Sequence, residues 1–369
     1  MLFPYTYVPH QIEKMQAFID YIFYAVWCQA PSKGSYRLEL FASNPELFEV
    51  MTAFHYDDSK GADFFSGHVE RIYNLFSGLT TAQINQFQQW YRGNNDLEKV
   101  CANDPSAQLA RYSDIAANYK DLADQLGKFF KGLYSFLGKA ALREKIGDID
   151  DHYYHAFLSA NNSGKCPFCG LYDIKGPHHT TREAYDHYLP QAHYPFNTTN
   201  FRNLAPACHE CNSAYKLSKD PVHNEAGRRK AFNPYAAASH AVQIQVTLQH
   251  ADVDKLLPAD ITMQFGPAAL AEELDTWKDV YGIEERHKAK LCGGNDGKYW
   301  LTQVLEECQA YDKQPVDILN MRAQQAQSRP YADCNFLRKP FLDACQNMGI
   351  FNGAVSTLKT ADPAKAAAL

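Results

Sequence analysis

The sequence lacks any apolar run long enough to cross a bilayer. Its most apolar stretch, residues 17–28, is interrupted by Asp20 and falls well short of the roughly 20 residues that a spanning helix needs, so it predicts a buried helix instead. The first residues, Met1-Leu2-Phe3-Pro4-Tyr5, lack the basic segment and small-residue cleavage site of a secretory leader, and a soluble, cytoplasmic protein is expected. A strongly basic balance is also absent. The formal net charge is -6, which gives no global nucleic-acid footprint, so any DNA binding has to come from a local patch or a basic partner. No internal repeat and no long linker is visible. Wholesale disorder is excluded by what is present, a hydrophobic share of 46% with 22 Phe and 23 Tyr.

At 369 residues the chain predicts two or three folding units. Residues 1–150 read as a helical domain. Over 10–28 the apolar residues Ile12, Met15, Phe18, Ile19, Ile22, Phe23 and Val26 recur at helical spacing. Further helices are predicted over 65–76, from Thr80 or Thr81 with Thr81 as a cap and Ile84, Phe87 and Tyr91 on one face, over 106–126, and over 128–145, with Gly127 and Gly147 as stops. Residues 151–235 are rich in Gly, Pro, Asn and Thr, so they are expected to be loop-rich and to need another source of rigidity. Residues 236–369 read as mixed: a strand over 241–248 pairing with 261–265, then helices over 268–281, 298–311 and 316–327. The small-residue tail 361–369 is expected to fray. Residues 292–298 superficially resemble a phosphate loop but lack its first Gly and the Ser/Thr after Lys298, so a turn is expected.

Ten cysteines in a chain this long do not call for disulfide stapling. Cys28, Cys101, Cys292, Cys308, Cys334 and Cys345 are dispersed and read as buried free thiols. The other four form two C-x-x-C pairs, Cys166/Cys169 and Cys208/Cys211. That spacing lets two sulfurs from one tight turn reach the same ion, and four thiolates suit tetrahedral Zn2+. Gly170 after Cys169 suits such a knuckle because it can take positive φ. A redox dithiol and an iron–sulfur cluster use the same residue type, and a purely structural zinc ribbon explains the thiols alone.

Between the pairs lie Asp186-His187-Tyr188-Leu189-Pro190 and Asn203-Leu204, and Asn212 directly follows Cys211. Taken singly, Asp-His is an ordinary surface dipeptide and an Asn is a turn or cap residue. In this order and spacing, residues 165–216 resemble the HNH (ββα-metal) nuclease family in its cysteine-bearing form. The resemblance implies a central zinc-braced ββα-metal nuclease domain, and with the helical N-terminal and mixed C-terminal regions read above the chain is expected to be α+β and mainly helical. It implies a strand–loop–strand over 184–206 and a helix from Asn212 to about residue 217–219, ending before Pro221.

The activity so implied is metal-dependent hydrolysis of DNA phosphodiester bonds. His187 is the expected general base, since imidazole titrates near neutrality. Asp186 and Asn212 are expected to hold catalytic Mg2+ or Mn2+, with open positions left for phosphate and water. Asn203 orients the loop carrying His187, and zinc on the thiols fixes where Asn212 sits. The site text most resembles nucleases of bacterial anti-phage systems (the Septu-type nuclease component), which work with an ATPase or sensor partner. A cluster of Lys216, Lys219, Arg228, Arg229 and Lys230 against Asp220 and Glu225 reads either as phosphate contacts or as a solvated helix end. His178, His179 and His193 read as hydrogen-bonded surface residues before ligands. The alternative to a nuclease is a zinc-stabilised DNA-binding or regulatory subunit whose site is vestigial or assembly-dependent.

Overall fold

The computed structural model of the chain describes residues 1–56, 61 and 63–352, so the tail 361–369 lies outside the described residues. The protein is mainly helical, with three two-stranded antiparallel sheets among the described residues. It divides into two compact units. One holds Met1, Phe3–Phe168 and Tyr172–His240, and the other holds Leu2, Cys169–Leu171 and the chain from Ala241 onward. Most of the segments 1–150 and 151–235 lie in the first unit. No described helix is long and apolar enough to cross a membrane.

The first unit is built on an aromatic-rich helical core. His10 opens the first helical stretch with a capping box, its ring accepting from the Ile12 amide while Glu13 accepts from the His10 amide at 2.9 Å. The helix Lys14–Tyr21 then continues through a widened turn at Ile22–Val26. All seven apolar residues of the 10–28 pattern are buried, so this stretch is core and offers no docking face. The helix Thr81–Asn95 is capped by Thr80, not Thr81: the Gln83 amide donates to the Thr80 hydroxyl and the Thr80 amide to the Gln83 side chain.

Two predicted boundaries move. The helix expected over 106–126 is a short Tyr112–Ala116 followed by Lys120–Phe136, which runs straight through Gly127. A glycine inside a helix costs about 1 kcal/mol relative to alanine, yet this helix keeps two, and at one of them, Gly132, a ring leaves no room for a side chain. A Cβ on Gly132 would sit 2.5 Å from the Phe64 ring. Gly147 does end the helix Ala140–Ile146, with φ of 83°.

The irregular segment 190–203 is fastened to these helices by buried amides. Asn94 donates to the carbonyls of Ala110 and Pro195, both at 2.9 Å, and accepts from the Ala110 amide at 3.0 Å. Asn197 donates back to the Asn94 carbonyl at 3.0 Å, Thr199 to the Gln16 side chain at 2.9 Å, and Asn200 to Asn95. Phe196 adopts φ of 81°, a conformation that costs a non-glycine residue about 1 kcal/mol or more. Its ring is fully buried among Phe23, Tyr91 and Phe130, which offsets that strain.

The second unit pairs the strand Gln243–Leu248 with the strand Ile261–Gly266, placing Val246 opposite Met263 and Leu248 opposite Ile261. These four residues are buried against the helices Gly297–Tyr311 and Asn335–Asn347. The helix Ala271–Tyr281 starts after a turn at Ala268–Leu270, and Pro315–Ser328 covers the expected 316–327. Residues 292–298 form a turn leading into the helix from Gly297. Two helices have no counterpart in the sequence reading. Ile283–Leu291 follows Gly282 at once and is charge-rich, and Asn335–Asn347 carries Pro340 inside it, the residue that ordinarily argues against a helix.

Replacing Asn94 with alanine strips three buried backbone groups of their partners, and unsatisfied buried groups cost about 1–3 kcal/mol each. The expected outcome is a loss of about 2–4 kcal/mol in the unfolding transition reported by Trp27 and Trp90 in urea. A loss below about 0.5 kcal/mol would mean that the amide clamp is not what holds this segment.

Candidate functional site

The site residues sit on a minimal antiparallel pair. β1 (Ala184–His187) lies against β2 (Leu204–Ala207), with Asp186 opposite Ala205 and His187 opposite Leu204. Alternation along β1 sends the Asp186 and His187 side chains to opposite faces. Tyrosine hydroxyls brace β2 from outside the ladder: Tyr5 donates to the Pro206 carbonyl at 2.9 Å and Tyr235 to the Leu204 carbonyl at 2.6 Å. Asn203, fully buried, closes the loop that follows His187. Its carbonyl oxygen Oδ1 accepts from the Leu189 amide at 2.7 Å, and its Nδ2 donates to the Leu189 carbonyl at 3.2 Å.

His187 is half-buried, and its Nε2 lies 3.1 Å from the Thr198 carbonyl. A carbonyl can only accept, so Nε2 carries the proton and Nδ1 keeps the lone pair. The ring edge packs on Tyr134, centroids 4.9 Å apart. Burial pushes the His187 imidazolium down to about 4, the Lys216 charge adds to this, and donation to Thr198 works against it. Burial therefore favours the neutral imidazole with Nδ1 as its acceptor atom, and makes it a weaker base than the ordinary imidazole that the sequence led one to expect.

Asp186 is 3% exposed. Its Oδ1 accepts from the Lys216 ammonium at 2.9 Å, and the same ammonium donates to the His187 carbonyl at 2.8 Å. Burial raises the Asp186 carboxyl above its ordinary range, while Lys216 pulls it back. The other oxygen, Oδ2, is buried without a hydrogen-bond partner. An unpartnered anionic oxygen fits a hard divalent cation, so the donor set is compatible with Mg2+ or Mn2+ at that one atom.

Lys216 belongs to the short helix Glu210–Lys216, which is wound wider than an α-helix: the Leu217 amide reaches the Asn212 carbonyl five residues back at 3.0 Å. Asn212 was expected to open this helix. It lies within the first turn instead, half-buried, with His209 at the cap. The helix follows Cys208, and the four thiols Cys166, Cys169, Cys208 and Cys211 converge. Their sulfurs all lie within 4.8 Å of one another and all four residues are buried. Sulfurs around tetrahedral zinc stand roughly 3.8 Å apart, so this cluster can hold a metal ion such as zinc with little adjustment. Gly170 takes φ of 73°, and a Cβ there would strike Leu2 and Phe336 at 2.3 and 2.6 Å. The remaining cysteines form no disulfide among the described residues and are buried apart from the half-buried Cys292, and burial pushes Cys28 and Cys345 up to about 12.

The basic cluster is divided between buried and exposed positions. Lys216 is fully buried on Asp186. Arg228 donates to the carbonyls of Ala107 and Asp104, and Arg229 to that of Asp220 at 2.8 Å. Lys219 and Lys230 are exposed. His179 accepts from the Gly176 amide at 3.0 Å, His193 donates to the Ser218 carbonyl at 3.0 Å, and His178 is exposed. A cleft of about 1070 Å³ in the first unit is lined by Arg92, Lys99 and Arg202 but by none of Asp186, His187 or Asn212. Thr198 and Tyr134, which set the orientation of His187, were missed in the sequence. Asn197, Thr198 and Thr199 are all buried. A backbone carbonyl as partner leaves no signature in residue type.

His152 gives the first unit an acid-sensitive point. It is 3% exposed, accepts from the Tyr185 hydroxyl, and is pushed from 6.5 down to about 4 by burial and by the neighbouring His10. Below pH 6.5 the unfolded chain takes up a proton that the folded chain refuses until about pH 4, so stability falls as pH falls through that window. A His152→Gln variant, which keeps an acceptor for Tyr185, should show a shallower decline in urea midpoint between pH 7 and pH 4.5. An unchanged slope would assign the acid sensitivity to other groups.

No family model matches the sequence, and no solved structure matches it. Among curated proteins the chain is similar to Protein ea31 of Escherichia phage lambda, at 35% identity over 97 residues, which is 26% of this chain and 28% of that protein. The chain thus spans less than a third of the length of the curated relative it matches.

Proposed function

We propose that the chain is a metal-dependent endonuclease of the HNH type that hydrolyses DNA phosphodiester bonds, serving as the nuclease effector of a bacterial anti-phage system with an ATPase or sensor partner. The observation that carries the reading is the state of His187. It is a neutral imidazole with Nε2–H committed to Thr198, next to a buried carboxylate, on a strand pair clamped by Asn203. Such a base removes a proton from an attacking water through Nδ1 and needs no prior deprotonation at neutral pH. Mg2+ or Mn2+ held by Asp186 and Asn212 would supply charge neutralisation for the phosphate and the leaving oxygen. The acidic balance of the chain and the inward-facing cations near the site imply weak DNA affinity for the chain alone, which fits a partner-assisted enzyme. The second reading, a zinc-braced binding or regulatory module with a vestigial site, draws on the ammonium already seated on Asp186.

The metal in the thiol cluster is assigned as structural zinc, which supplies folding energy to a loop-rich segment. Purified protein should carry about one zinc per chain, and Cys208→Ser should lose both the ion and the fold around the thiols. A well-folded variant with undiminished zinc would sink the assignment.

Cleavage is best assayed on plasmid DNA with Mg2+ at physiological salt, with and without the ATPase or sensor partner of the proposed system. His187→Ala should slow cleavage by about 100-fold or more, leaving zinc content and DNA affinity unchanged, with 5′-phosphate ends in the parent reaction. Equal rates for parent and variant would refute His187 as the base.

A further inference from the structure

The nuclease reading uses Asp186 as a ligand for a divalent ion but gives Lys216 no role, and Lys216 is the most fully enclosed cation near the site. Its side chain is 1% exposed against 3% for Asp186. The ammonium touches Asp186 Oδ1 at 2.9 Å and the His187 carbonyl at 2.8 Å, so one group fixes both members of the Asp-His pair. The carboxylate is split between its oxygens. Oδ1 has a cationic partner, and Oδ2, equally enclosed, has none. A buried anionic oxygen left without a donor is costly unless a cation reaches it. A second cation on the same carboxylate is nevertheless opposed by the first, because like charges that close repel strongly in a poorly solvated site.

We propose that Lys216 is the resident cation of this site: a positioning residue that neutralises Asp186 when no divalent ion is bound and competes with that ion for the carboxylate. The inference rests on the nuclease reading for the presence of a divalent ion at Asp186. Its consequence is a site whose own affinity for Mg2+ or Mn2+ is kept low. The ion is retained when further negative charge arrives, and a phosphodiester brings that charge as oxygen ligands. Loading of the metal and binding of the substrate backbone are thereby coupled, and the free protein stays unloaded.

The test is the affinity of the zinc-loaded full chain for Mn2+, read from the paramagnetic resonance of free Mn2+, in the parent, Lys216→Met and Asp186→Asn. Lys216→Met should bind Mn2+ at least about tenfold more tightly than the parent, a gain that no merely structural role of the lysine would produce. It should also melt lower than the parent without Mn2+ and recover when Mn2+ is saturating. Asp186→Asn should abolish the binding. Unchanged or weaker Mn2+ affinity in a zinc-retaining Lys216→Met chain, with binding still lost in Asp186→Asn, overturns the role of Lys216 alone. No Mn2+ binding in the parent or in Lys216→Met overturns the divalent site itself, and the nuclease reading with it. Should Lys216→Met fail to fold, the parent labelled with 15N-lysine decides. Titration with Mg2+ should shift the Lys216 ammonium resonance, and a resonance that stays fixed while Mg2+ binds overturns the proposal.

Discussion

Two four-residue strands, Ala184–His187 and Leu204–Ala207, cannot by ladder hydrogen bonds alone hold the long excursion from Tyr188 to Asn203 between them, since isolated two-stranded pairs are marginal. Everything else about the site depends on how that excursion is tied. The ties are buried amide hydrogen bonds, Asn203 onto Leu189, Asn94 onto Pro195 and Asn197 onto Asn94, together with Phe196 packed into the aromatic core. Each hydrogen bond satisfies a donor and an acceptor that would otherwise be buried without partners. Together they leave the Thr198 carbonyl where His187 can donate to it, which fixes both the tautomer and the orientation of the imidazole.

The same economy governs the opposite face of β1. Asp186 is enclosed, and an isolated buried carboxylate would take up a proton. Lys216, brought in from the helix Glu210–Lys216, keeps the charge in place and adds a bond to the His187 carbonyl. Cys208 precedes that helix and Cys211 lies in its first turn, so a metal ion on the thiols would set the helix start and hence the reach of Lys216 and the position of Asn212. Electrostatics, helix placement and the thiol knuckles are thus one linked arrangement.

Helical content was legible where a face was periodic. Ile12 to Val26 and Ile84, Phe87 and Tyr91 mark buried faces, as the structure bears out, and Val246 and Leu248 mark a strand with one buried side. Boundaries were less legible because they turn on competing local terms. Gly127 reads as a stop, yet neighbouring packing keeps the helix going. Pro340 reads as a breaker, yet it lies inside a helix with buried Phe341 and Leu342 on its inner face. The charge-rich Ile283–Leu291 has too weak an apolar pattern to announce itself.

What the sequence by itself determined is the set of chemical types and their order: two thiol pairs, an Asp-His pair, and the asparagines between and after them. Spacing of two residues brings thiols to one turn, and alternation on a strand sends Asp186 and His187 to opposite faces, both local consequences of backbone geometry. Tertiary structure alone decided which partner each group received. Lys216 reads in the sequence as a surface cation and is buried on Asp186, Arg228 and Arg229 turn to backbone carbonyls, and the carbonyl of buried Thr198 becomes the support of His187. The reason is physical: a residue's type sets what bonds it can make, but burial and long-range packing set which bonds it must make.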